Sequence, residues 1–182
     1  MPLYYTRTGD TGETGLFDAG RIGKDKLKVE AFGSVDELNS FIGLARAFCE
    51  DKEMDSILEK IQKELFIVGA DLATPSPSKT HSKISRINPD HIQELEKDID
   101  NIAKKIKPLE KFILPGGNML AAHLQVTRAV CRRAERRAVI LEKEEKINRN
   151  VLSYLNRLSS LLFVLARYAN AKTHTKEIEW SG

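Results

Sequence analysis

Residues Phe112–Glu145 read FILPGGNMLAAHLQVTRAVCRRAERRAVILEKEE, and the pattern in this stretch decides the fold class. Pro115 fixes one backbone dihedral and Gly116–Gly117 release the next ones, so a stiff turn precedes a long helical run. Asn118 stands where a cap belongs, and Leu120, Leu124, Cys131, Ala134, Ala138 and Leu141 recur at helical spacing. At about 100° per residue, Arg128, Arg132, Glu135 and Arg136 fall on a flank beside this apolar stripe, while Arg133 and Arg137 point to the other side. Every basic residue from Arg128 to Arg137 is arginine. A guanidinium fork grips phosphate or carboxylate through two parallel bonds, which suits a defined anion; a solvated face with i,i+4 pairs is the other reading.

The helical period extends to both sides of this stretch. Ser34-Val35-Asp36-Glu37 reads as a capping box, with Val35, Leu38, Ile42 and Ala45 following to about Cys49. Asp36 then falls in a first turn, where the helix dipole favours negative charge. A second helix is expected from Asp51 to Leu72 with one apolar side. The segment 73–88 carries breakers and is expected to be an irregular loop. Asn88 and Pro89 open a third helix whose Ile92, Leu95, Ile99, Ile102 and Ile106 form a bundle seam, stopped by Pro108. Asn148 or Asn150 opens the last helix, to about Lys172. Its Leu161 and Phe163 lie off the main stripe, so this helix is apolar on two sides and asks for two partners, the core and another subunit. Asn156, Ser160 and Arg167 share its polar face, read as solvent-facing. The tail, residues 173–182, reads as a frayed terminus, with Trp180 as a candidate cover for an apolar opening. Five helices without a convincing strand give an all-α, up-and-down five-helix bundle with a four-helix-bundle-like core, one domain over residues 1–182.

Composition narrows the function. The 182 residues are 41% hydrophobic and 30% charged with a net charge of +3, which fits a globular domain with a small anionic substrate better than a nucleic-acid binder. Cys49 and Cys131 both lie in apolar helical patterns and read as buried thiols in a reducing compartment. The longest apolar run, Leu161–Ala166, is far shorter than a membrane span, and no signal-peptide pattern is visible, so a soluble cytoplasmic protein is expected. No glutamate is followed three residues later by histidine, which removes the ferritin-type di-iron reading. Direct protein ligands for a metal are not expected.

Residues 4–24, YYTRTGDTGETGLFDAGRIGK, fall within a glycine-rich lead-in spanning residues 1–30. Its free N–H groups, hydroxyls and the charges of Arg7 and Lys24 can wrap an anion, although the segment is not a Walker A loop. A surface arm is the alternative.

Three separated segments together resemble the PduO-type ATP:cob(I)alamin adenosyltransferase family. They are TRTGDTGETGL (Thr6–Leu16) with GSVDELNSFIG (Gly33–Gly43); FILPGG (Phe112–Gly117) leading to RAVCRRAERR (Arg128–Arg137); and NRLSSLLFVLARYAN (Asn156–Asn170). Arg7 stands where the family often has lysine, and keeps the charge. The resemblance implies a homotrimer of five-helix bundles with active sites between subunits, transferring the 5′-deoxyadenosyl group of ATP to the cobalt of cob(I)alamin. It implies that Thr6, Arg7, Thr8, Gly9, Thr14, Gly15 and Lys24 line ATP, with Asp10 helping to hold a Mg²⁺-triphosphate. Arg132, Arg133, Glu135 and Arg136 would meet triphosphate and adenosine, and Asn156 would complete the pocket. Asp36 and Arg128 match a salt bridge across the subunit interface, and Phe112 matches the aromatic that keeps the corrinoid's lower ligand off cobalt. Read without the resemblance, Phe112 is a core aromatic next to a turn. A corrinoid reductase and an adenosylcobalamin-dependent enzyme are the protein partners compatible with this activity. Cob(I)alamin is itself a strong nucleophile, which matches the lack of a visible serine nucleophile, histidine base or metal cluster. The competing readings are a phosphate-binding nucleic-acid module and a non-catalytic sensor or carrier of ATP or adenosylcobalamin.

Overall fold

The computed structural model describes residues 4–16, 20–74 and 84–181. Most of the 73–88 loop therefore lies outside the described residues. The elements in chain order are a hairpin of β1 (Glu13–Leu16) and β2 (Gly20–Gly23), then α1 (Leu27–Arg46), α2 (Lys52–Ala73), α3 (Pro89–Ala103), α4 (Met119–Glu144) and α5 (Arg149–Lys172). The five helices follow the apolar periodicity. The hairpin was not foreseen: its strands are four residues each, and glycines hold three of their eight positions.

Local capping chemistry explains most helix starts. Asp51 accepts from Met54 N at 2.9 Å, Asn88 from Asp90 N at 3.0 Å, Asn118 from Ala121 N at 2.8 Å and Asn148 from Asn150 N at 3.1 Å. The α3 start is tightened by Pro89 and by the His91 ring, which reaches back to the Asn88 amide at 3.3 Å. That helix ends at Ala103, ahead of Pro108.

Two expectations about α1 fail together. The helix begins at Leu27, so Ser34 lies inside it and donates to the Glu30 carbonyl at 2.7 Å, and Asp36 is not in a first turn. Burial of Ala31 and Lys28, the latter paired with Glu145 at 2.7 Å, extends the packed stripe two turns upstream. Tertiary packing thereby overrides a local cap signal that would have served equally well.

Chain neighbours are not all packing neighbours. α4 packs against α1 and α5, α1 against α2, and α3 against α5. Each flank of α5 is thus occupied within one chain, and Leu161 is completely buried. The second apolar side of α5 accordingly needs no other subunit to cover Leu161; Phe163 remains half-buried beneath the Arg128 guanidinium, 5.3 Å from its ring centre.

A buried carboxylate ties the start of α3 to the α4–α5 turn. Asp71 is 2% exposed and receives Arg86 Nη1 at 2.5 Å, Ile87 N at 3.1 Å and Asn148 Nδ2 at 2.7 Å. Asp71→Asn removes the charge that Arg86 faces and turns one acceptor into a donor aimed at other donors. We expect a loss of about 2 kcal/mol in chemical denaturation. An unchanged midpoint would show that this network carries no stability.

Candidate active site

The N-terminal segment is built on the hairpin. β1 and β2 pair antiparallel with Glu13 opposite Gly23 and Gly15 opposite Arg21. This register turns Arg21 back over the preceding loop, where Nη2 donates to the Thr8 carbonyl and Nε meets Glu13 Oε2 at 3.3 Å. Lys24 closes the other side: its Nζ donates to Gly9 O at 2.8 Å and its amide to Gly12 O at 2.8 Å. The Thr6 and Thr8 hydroxyls are 2.8 Å apart, and Arg7 adopts φ 61°, a conformation sparsely used by residues with side chains. Thr6, Arg7, Thr8 and Asp10 are exposed, Gly9 and Thr14 partly covered. The result is a compact, cation-braced loop presenting hydroxyls and peptide groups outward. Arg21 is the residue that sequence reading missed, because its role depends on a hairpin register that no strand signal announced.

On α4 the arginines divide as their helical angles require. Arg133 pairs with Glu37 at 2.5 Å and Arg137 with Glu30 at 3.0 Å, both toward α1. Glu135 accepts from Asn156 Nδ2 at 3.0 Å, joining α4 to α5. Arg132 and Arg136 are exposed and have no salt-bridge partner among the described residues. Two guanidiniums thus stand beside a fixed carboxylate–amide pair and remain available to an anion. Asp36 is exposed on α1, and within the chain it does not meet Arg128. No hydrogen bond or ion pair joins residues 4–16 to the arginine flank among the described residues.

At the N-terminal end of α4, Phe112 is 77% exposed, so it is no core aromatic. The tail holds its backbone and is not frayed. Trp180 N donates to Phe112 O at 2.8 Å, Leu114 N donates to Ile178 O at 2.8 Å, and Ile113 bridges Glu179 in antiparallel fashion. The turn that follows is pinned by Asn170, which donates to Gly116 O at 3.1 Å and accepts from Asn118 N at 3.0 Å. Leu114, Ile178 and Trp180, on the same bridged segments as Phe112, are also exposed apolar side chains.

A groove of about 660 Å³ lies between the hairpin and the end of α4, lined by residues such as Arg21, Ile22, Lys28 and Leu141. None of the expected site residues lines it. Among the described residues no three His, Cys, Asp or Glu side chains converge as a metal cage, and no helix is long and apolar enough to cross a membrane. Both cysteines are free, and burial pushes the Cys131 thiol far above its usual range, which makes it inert.

A profile of the family described as Cobalamin adenosyltransferase matches residues 4–169. The chain belongs to this family. A corrinoid adenosyltransferase of Bacillus subtilis (strain 168) is 44% identical over 180 residues, covering 97% of this chain and 91% of that one. The human corrinoid adenosyltransferase MMAB is 43% identical over 181 residues, covering 97% and 72%. A phenylalanine-to-alanine variant of a PduO-type ATP:corrinoid adenosyltransferase from Lactobacillus reuteri, complexed with cobalamin and ATP, superposes with TM-score 0.91 at 39% identity, covering 98% of this chain and 99% of that chain.

Proposed function

We propose that the protein transfers the 5′-deoxyadenosyl group of ATP to cob(I)alamin, giving adenosylcobalamin and triphosphate. The observation that carries this reading is the match over nearly the whole chain, at TM-score 0.91 and 39% identity, to a relative whose structure holds both cobalamin and ATP. A Co–C bond forms at C5′ as the C5′–O bond breaks, and the electron pair leaves with the triphosphate.

The chain's own residues have four tasks in this reaction. The loop of Thr6, Arg7, Thr8, Gly9, Asp10, Thr14, Gly15 and Lys24 binds the nucleotide through peptide and hydroxyl donors. Arg132 and Arg136 take up charge on the departing triphosphate, and Arg133 adds to the positive field while paired with Glu37. The Glu135–Asn156 pair orients the nucleoside end. Phe112 keeps the lower ligand off cobalt, which eases reduction of Co(II) as axial-ligand control does elsewhere. Mg²⁺ would arrive with the triphosphate; among the described residues no group of His, Cys, Asp and Glu side chains forms a cage for it, and Asp10 stands at the loop surface.

The active unit in this reading is a homotrimer, with loop and arginine flank supplied by different copies and Asp36 reaching Arg128 of its neighbour. The separation of these groups within one chain supports it. The whole of residues 1–182 acts as one cytoplasmic domain in this reading. The test of the activity is an anaerobic assay with Mg-ATP and chemically reduced cob(I)alamin, following the corrin spectrum and triphosphate together. One triphosphate per adenosylcobalamin is expected. ATP binding without conversion would instead identify a sensor or carrier.

Asp36→Asn tests the assembly. An Arg128 left unpaired at an interface costs about 3 kcal/mol. We expect dissociation of the trimer at protein concentrations where the parent stays assembled, seen by sedimentation velocity, together with reduced turnover. Unchanged assembly and turnover would remove Asp36 from the site.

A further inference from the structure

Phe112 is too exposed for packing to fix where it points, so its aim must come from its backbone. Two strand hydrogen bonds from the tail hold that backbone, and the tail is itself anchored by one side chain. Arg167 of α5 has a side chain only 10% exposed. Its Nε lies 3.2 and 3.1 Å from the two carboxylate oxygens of Glu177, and its Nη2 is 3.1 Å from one of them. The same Nη2 donates to the Lys107 carbonyl at 3.0 Å. One guanidinium therefore joins three segments: α5, the connection leading into Phe112, and the tail just before its bridge to Ile113. A mostly covered, bidentate pair of this kind holds geometry far better than the neighbouring Lys111–Glu179 pair, which is 65% and 60% exposed. The sequence pattern had assigned Arg167 to solvent, and the structure excludes that.

We propose that Arg167 and Glu177 form a latch that positions Phe112 for displacing the corrinoid's lower ligand. They are positioning residues that act through the tail strand. The inference rests on the reading of Phe112 given above. It separates two starting points of the reaction. With cob(II)alamin and a reduced flavin as electron donor, the lower ligand must leave before one electron converts Co(II) to Co(I). With cob(I)alamin reduced in advance, Co(I) holds no lower ligand and the wedge is not needed.

The experiment compares the full-length parent, Glu177→Gln, Arg167→Lys, Phe112→Ala and the double variant Glu177→Gln/Phe112→Ala. Glu177→Gln is expected to slow turnover from cob(II)alamin about ten-fold, since small misplacements of an aligned group carry costs of at least this order. Its rate from cob(I)alamin and its KM for ATP should stay within about two-fold, well under the effect of a lost site residue. Electron paramagnetic resonance of the Co(II) form with ATP should show the nitrogen splitting of the lower ligand persisting in Glu177→Gln and absent in the parent. Arg167→Lys, which keeps charge but not the fork, should fall between, and the double variant should be no slower than Phe112→Ala. Equal losses from both starting points, or additivity with Phe112→Ala, would overturn the latch. If Phe112→Ala shows a deficit and Glu177→Gln does not, the latch alone falls. If Phe112→Ala shows none, the Phe112 reading falls and takes the latch with it.

Discussion

Arg132→Ala should lower kcat/KM for adenosyl transfer by about 10²–10³-fold, the range seen when one preorganised donor to developing charge is removed. It should do so without loss of stability, because Arg132 is exposed and has no salt-bridge partner among the described residues. Deleting a side chain whose bonds are made only to substrate changes nothing in the resting protein. Arg133→Ala, on the same turn, is the comparison for stability alone. It breaks the pair with Glu37, whose two members are 43% and 44% exposed, and such surface pairs contribute about 0–1 kcal/mol. Arg132→Lys should recover only part of the rate, since an ammonium keeps the charge and loses the fork. The measurement is kcat and KM for ATP at saturating cob(I)alamin, with a thermal melt of each variant. A folded Arg132→Ala protein with unimpaired turnover would remove the arginine from the chemistry. A variant that melts early would return it to a structural role.

The helices were legible because each carries a long apolar period; Asn88 and Asn118 cap as expected, Asn148 rather than Asn150 caps α5, Asp51 caps α2, and α1, which lacks a side-chain cap, is the one whose start was misplaced. The error at Ser34 arose because the same residue type that caps a helix can also bond back to the carbonyl four residues earlier. Only the packing of Lys28 and Ala31 decides between the two, and packing is not local information. The angular separation of Arg132 and Arg136 from Arg133 and Arg137 was readable from helix geometry alone, and the pairs to Glu37 and Glu30 follow it. Three features were beyond sequence reasoning for a common reason: each joins residues distant in the chain through an unpatterned segment. Arg21 reaches Thr8 only once the hairpin has formed, Arg167 meets Glu177 only once the tail has turned back, and Asn170 meets the Pro115–Gly117 turn only when α5 lies beside it. A periodicity argument sees faces of one element and is blind to these returns.

The turn before α4 gives the sharpest structural test. Gly117 has φ 122°, a region that side-chain-bearing residues avoid, and a Cβ there would overlap the Asn170 amide. Asn170 is 3% exposed and cannot swing into solvent without giving up its bonds to Gly116 O and Asn118 N. Asn118 in turn caps α4. Gly117→Ala should therefore add backbone strain and unhook the cap together, for a loss of about 4 kcal/mol in chemical denaturation. Asn170→Ala alone loses the same two bonds without the overlap, so about 2 kcal/mol is expected. Combining them removes the clash: the double variant should be clearly less destabilised than the sum of the single changes, a coupling readable as a double-mutant cycle. Strict additivity would mean that the two residues do not meet and that the turn is held by something else. Phe112 lies just upstream of this turn, so the refolded fraction of Gly117→Ala should also show the cob(II)alamin deficit expected of a misplaced phenylalanine. Because the cap and the turn share one anchoring amide and Phe112 leads directly into that turn, stability and lower-ligand displacement should fail together here, whereas at Glu177 only the second should fail.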